Sequence, residues 1–228
     1  NREIPDIQFI QRIVEEADNP GIPLFERVRF LAISVAVLDQ FYTVRVAKLS
    51  RLVSRRVLVS SIDGLTPEQQ LNAIEVRADS LMKMQETIWQ SQKTELQAIG
   101  ISMTEPADLT NEEAAWLTSY FQIQILPVLT PFTLDEEHPF PYIPSGGMCV
   151  ILQLVDSHIL IPVPANLPRF ISVMDKNTRY VALEDVLQEM SDLLLPNVTI
   201  RSSGTFQILR DNDLAKKERS ADLRSIVE

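Results

Sequence analysis

Arg45, Lys48, Arg51 and Arg55 recur at intervals of three and four residues, with Arg56 beside the last. On a helix this spacing sets their cations along one face. Such a face would bind a polyanion or a nucleotide phosphate; the alternative is a solvated face offset by the chain's surplus acids. Other chemistry-bearing residues are sparse. His138 lies in DEEHPFPY beside Asp135, Glu136 and Glu137, and His158 follows a turn-like Asp156-Ser157. A metal site needs two or three ligands at fixed spacing, and acids in a connector are ordinarily solvated, so no metal site is expected. Cys149 sits in GGMCVILQLV with no histidine or basic neighbour, which reads as a buried structural thiol. There is no G-x-x-x-x-G-K phosphate loop, no dinucleotide fingerprint and no Ser/His/Asp set. No catalytic residue is assigned to these 228 residues.

Composition sets the frame in which those residues must sit. Thirty-one acids against 21 bases give a net charge of −10, which argues against a nucleic-acid binder, because phosphate-backbone affinity comes from Lys and Arg. A hydrophobic content of 45% provides a real core, and the length suits two small domains. One cysteine fits a reducing compartment, so the expected location is the cytoplasm, with membrane association left open. The longest apolar candidate for a membrane span, Met148 to Val163, is broken by Gln153, Asp156 and His158, and no span is expected. An opening Asn1 and a closing charged segment have the look of a piece of a longer protein.

The first half reads helical. Ile4, Ile7, Ile10, Ile13 and Val14 share a face, and Asp18-Asn19-Pro20-Gly21 ends that helix. Pro23 starts a second, running through Phe30, Leu31, Ile33 and Val37 toward Val59. Thr66-Pro67-Glu68-Gln69 is a capped start for a third, with Leu71, Ile74, Ala78, Leu81, Met82, Thr87 and Ile88 in register until Gly100. A fourth opens at Leu109-Thr110-Asn111-Glu112-Glu113 and closes near Ile125. From Pro127 to Pro144 five prolines make an extended connector. Strand-like runs come next: MCVILQLV, HILIPVPA, RFISVM and RYVAL, then a helix over 183–195 and short strands near Thr199 and Phe206. The expected fold class is α+β: a helical bundle over 1–130, then a mixed head domain over 131–228, incomplete at its C-terminus.

Several segments resemble, in order, the N-terminal portion of bacterial polyphosphate kinase of the long ATP-using type. They are NRE with FIQRIVEEADNP, PLFERVRFLAI, LDQFYTVRVAKL, DGLTPEQQL, YFQIQILPVLTPFTLDEEHPFPYI, LPRFI, VALEDVL and FQILRDNDL. The resemblance implies a helical domain and most of a head domain, followed in the family by two C-terminal domains of the phospholipase D type. It implies reversible transfer of the terminal phosphate of ATP to polyphosphate, through a phosphohistidine and with Mg²⁺, all of that chemistry lying in the C-terminal domains. It also implies a homodimer formed through the head, and an adenine contact lent by the helical domain.

That contact, in the family pattern, is an asparagine just before the Leu-Asp-Glu-Phe run; Val37 stands there and offers no side-chain hydrogen bond. Val37 is expected instead to extend the apolar face of Ile33 and Leu38. Asp39 keeps the family acid, but Gln40 replaces the following Glu. Pro5-Asp6 replaces a family Ser-Trp, Ile10 an Asn, and PSGG lacks another Asn. Two readings remain open: part of a working kinase, or a non-catalytic relative or redesigned scaffold that acts as an interaction module.

Overall fold

A computed structural model describes residues 3–57, 60–134, 140–176 and 178–211. The chain divides into two compact units, Asn1–Glu95 with Leu209–Glu228, and Leu96–Ile208.

The first unit is helical. It contains α1 (Glu3–Ala17), α2 (Leu24–Phe41), a π turn (Tyr42–Val46), α3 (Ala47–Ser54) and α4 (Pro67–Ala98), whose residues from Leu96 on are counted with the second unit. Ile7, Ile10, Val14 and Ala17 bury one face of α1, against Leu31, Leu38 and Phe41 of α2 and Ile74, Leu81 and Ile88 of α4. Spacing alone puts Met82 in the α4 stripe, but Met82 is 46% exposed. Its place is taken by glutamines: Gln85 and Gln92 are buried among the apolar positions. Each amide nitrogen has a partner, while Gln92 Oε1 is buried without one among the described residues. Gln85 Nε2 donates to Ser34 Oγ at 2.9 Å, and Gln92 Nε2 donates to the Ala17 carbonyl at 3.0 Å, closing the end of α1. Thr66 and Gln69 cap α4 reciprocally, as their spacing predicts, at 2.9 and 3.3 Å. Helix α3 stops at Ser54, short of the expected Val59. Arg56 turns left-handed there (φ 53°), and Val57 N–H bonds back to the Leu52 carbonyl.

The run Leu24–Ser54 is long and apolar enough, by length and composition, to cross a bilayer. The expectation of no such span overlooked it because charged residues flank the apolar centre. Leu31, Ser34, Leu38 and Phe41 on it are buried within the helical unit.

The second unit holds β1 (Ser102–Met103), α5 (Asn111–Tyr120), β2 (Phe132–Leu134), β3 (Met148–Gln153), β4 (His158–Pro162), β5 (Phe170–Ser172), β6 (Arg179–Ala182), α6 (Leu183–Glu189), α7 (Ser191–Leu194) and β7 (Ser202–Gln207). One sheet has the order β1-β6-β5, with β1 parallel to β6; the other, β2-β4-β3-β7, is antiparallel throughout. Leu117 and Phe121 on and just after α5 share a core with Val150, Leu152, Ile161, Val181 and Leu187 from both sheets and α6. Because α5 packs on sheet residues, the break expected near residue 130 falls inside this unit. The change from helix to strand and the change of core are different boundaries. No strand forms at Thr199, and the strand near Phe206 is β7.

Candidate functional site

Asp6 and Phe9 follow the turn-by-turn spacing of α1, and Val37 and Gln40 that of α2, so each pair shares a helix face. These faces meet. Asp6, Phe9 and Ile10 from α1, Val37, Gln40 and Phe41 from α2, and Val44 and Arg45 of the π turn line one surface cleft of about 250 Å³. Val37 and Arg45, which the sequence marks for different reasons, therefore line the same site. Ile33, expected on the face of Val37 and Leu38, is instead 40% exposed, while Leu38 is buried and Val37 half-buried.

The π turn places Val44 and Arg45. Thr43 Oγ1 donates to the Gln40 carbonyl at 3.1 Å, and Ala47 N–H reaches back five residues to the Tyr42 carbonyl. One extra residue in the turn rotates the residues beyond it by about 100° relative to an unbroken α-helix. Arg45 Nε then lies 3.6 Å from Asp6 Oδ2. Arg51 Nη1 lies 3.0 Å from Asp211 Oδ2. Lys48 is exposed on α3, and Arg55, also exposed, comes just after its last residue. Two of the four bases are thus engaged by carboxylates, and two face solvent with no acidic partner among the described residues.

Burial pushes the Asp39 carboxyl above its ordinary range, and burial followed by the charge of Glu75 pushes the Tyr42 hydroxyl up. Phe9, 51% exposed, has the Arg12 guanidinium 5.9 Å from its ring centre. Gln40 is exposed, and its amide has no partner among the described residues. Sequence reasoning assigns Asp6, Phe9 and Gln40 to no site. Helical spacing shows which residues share a face of one helix, but not which faces of two helices meet.

No group of three His, Cys, Asp or Glu that could hold a metal occurs among the described residues. His138 lies outside them. His158 opens β4 and is exposed. Cys149 is buried beside Ile143 and Leu160, and burial pushes its thiol up, away from the nucleophilic thiolate.

Fold and site define an α+β chain whose helical unit carries a ring-sized cleft walled by aromatic and aliphatic side chains. The family model for the polyphosphate kinase N-terminal domain matches residues 1–104, and that for the polyphosphate kinase middle domain matches residues 112–228. The chain belongs to the polyphosphate kinase family. A polyphosphate kinase from Erythrobacter litoralis is 36% identical over 98% of this chain and 32% of its own length. Polyphosphate kinase 1 of Chlorobaculum tepidum is 32% identical over 100% of this chain and 35% of its own. The crystal structure of polyphosphate kinase from Porphyromonas gingivalis superposes with a TM-score of 0.76 at 26% identity, covering 91% of this chain and 32% of that one. The chain spans about a third of the length of the curated relatives it matches.

Proposed function

We propose that this chain is the N-terminal and head part of an enzyme that moves the terminal phosphate of ATP onto polyphosphate, with Mg²⁺ as its metal. Its share is scaffold, dimer contacts and an outer wall of the nucleotide site. The convergence of Val37 and Arg45 in one cleft carries this reading. In this proposal the phosphate chemistry and the Mg²⁺ belong to the length of the relatives that this chain does not cover. Incubation with ATP, Mg²⁺ and a polyphosphate primer is expected to give no polymer; synthesis by this chain alone would overturn that division of labour. ATP binding is expected, and Val37→Asp, which puts a carboxylate into the cleft, is expected to abolish it. Homodimerisation is checked by sedimentation, and a monomer at high protein concentration removes the dimer contacts from the proposal.

A second reading, a non-catalytic relative that binds a partner protein, draws on the outward face of α2, where Phe25, Ile33 and Val35 are 61%, 40% and 43% exposed. Absence of ATP binding by calorimetry would favour it.

A further inference from the structure

Residues 27–56 differ in charge from the rest of the chain. They hold six arginines and Lys48 against one acid, the half-buried Asp39, in a chain whose net charge is −10. The same stretch of helix exposes apolar side chains: Phe25 just ahead of it, then Ile33 and Val35. We propose that the outward side of the helix Leu24–Ser54 docks on an anionic lipid bilayer, its apolar side chains entering the headgroup boundary and its bases meeting lipid phosphates. The proposal is independent of the nucleotide reading of the cleft.

Rotation about the helix axis decides whether bases and apolar residues share a side. At about 100° per residue, Arg29, Ala32 and Ala36 lie within about 40° of Phe25, and all four are exposed. Ile33 and Val35 flank that line, about 80° to either side. On an unbroken helix Lys48 and Arg55 would lie about 120–140° from Phe25. The extra residue of the π turn rotates them back by about 100°, to within about 40° of it. The π turn thus lines up the exposed bases beyond it with the apolar residues before it, over a length of about 45 Å. Asp39 comes to the same side but is half-buried.

The other side of the helix settles the depth. Leu31, Ser34, Leu38 and Phe41 are buried in the helical unit, so lipid reaches one side alone, and the helix lies on a bilayer rather than across it. Charge selects lipid over a protein partner. The core of a protein interface is depleted of lysine and other charges, whereas here the apolar side chains are interleaved with Arg29 and continued by Lys48 and Arg55. The Arg29 side chain is 72% exposed, with Glu26 no nearer than 3.8 Å. Lys48 and Arg55 have no acidic partner among the described residues. Their long stems lie along apolar surface while the cations reach phosphate.

The test is co-sedimentation of this chain with vesicles of phosphatidylcholine alone and of equimolar phosphatidylcholine and phosphatidylglycerol. The parent is expected to bind the mixed vesicles and not the neutral ones. Lys48→Gln/Arg55→Gln is expected to weaken that binding about 25-fold, roughly fivefold for each base. Phe25→Ser/Ile33→Ser is expected to weaken it by about tenfold or more. All four positions are exposed, so both variants are expected to melt with the parent, which circular dichroism checks. Absence of binding to the mixed vesicles, equal binding to both kinds, or either variant binding as the parent does overturns the proposal. Self-association of the parent without vesicle binding, lost in Phe25→Ser/Ile33→Ser, also overturns it and assigns this side of the helix to a second copy of the chain.

Discussion

Arg179 reaches Glu113 from 66 residues away, with Nη1 2.7 Å from Oε2, and the same carboxylate oxygen accepts the Thr110 N–H at 2.9 Å. One side chain thus completes the capping box of α5 and ties that helix to β6. The Thr110 N–H, and after it the Thr110 hydroxyl and Arg179, hold the Glu113 carboxyl below its ordinary range.

The pH dependence comes from that direction. A carboxylate whose folded pKa lies below its unfolded value stabilises the fold fully above the ordinary carboxylate range, and the contribution is lost as pH falls through the folded value. Glu113→Gln is therefore expected to melt below the parent at pH 7, with the gap closing as the solution is acidified below the ordinary carboxylate range. Thermal melts across that range check it, and a gap that is constant with pH would assign the effect to packing. Thr110→Ala removes the reciprocal cap and is expected to cost about 0.5–2 kcal/mol.

Ser34 and Gln85 give a test of a different kind. Gln85 Nε2 donates to Ser34 Oγ, which donates on to the Leu31 carbonyl at 2.7 Å, and both side chains are buried. Ser34→Ala strands the Gln85 amide and is expected to cost about 1–3 kcal/mol; the double variant Ser34→Ala/Gln85→Leu, which removes both polar groups, should cost clearly less than the sum of the singles. Strict additivity in urea denaturation would show that the two residues are not coupled.

These local features are unevenly legible in the sequence. The Thr66–Gln69 cap, the end of α4 near Gly100, and the β3 and β4 hairpin are readable because each is written within a few consecutive residues. Strand β1 is not. Two residues, Ser102 and Met103, become a strand only by pairing in parallel with Arg179 and Tyr180, and no local pattern encodes a partner that distant. The π turn at Tyr42–Val46 is invisible for a related reason: it replaces one helical hydrogen-bond pattern by another without changing which residue types are tolerated. It also displaces the basic stripe, since spacing of three and four residues assumes an unbroken α-helix. Val37 and the arginines stand out as separate signals, and the packing of α1 on α2 joins Val37 and Arg45 in one cleft.

Arg56 offers a stability prediction independent of the cleft. It holds φ at 53° while its N–H bonds to the Val53 carbonyl at 2.9 Å. A side chain in the left-handed region costs about 1–2 kcal/mol, and glycine escapes that cost at the expense of some unfolded-state entropy. Arg56→Gly is expected to raise stability by up to about 1 kcal/mol, and Arg56→Val, β-branched, to lower it. Melting temperatures decide it; a destabilised glycine variant would mean that the arginine side chain contributes more than its backbone costs.

The basic residues yield the last prediction. If Lys48 and Arg55 meet phosphates, each contact releases counterions, and binding of a short polyphosphate should weaken steeply with salt. Lys48→Gln/Arg55→Gln is then expected to flatten the slope of log affinity against log salt by up to about one unit for each base that meets a phosphate. Arg45→Gln and Arg51→Gln should change it less, because those cations already face Asp6 and Asp211. Fluorescence titration at several salt concentrations measures the slopes. Equal slopes in the parent and the Lys48/Arg55 variant would show that these side chains neutralise nothing and are a solvated face, and a larger change on replacing Arg45 would move the phosphate contact to the cleft mouth.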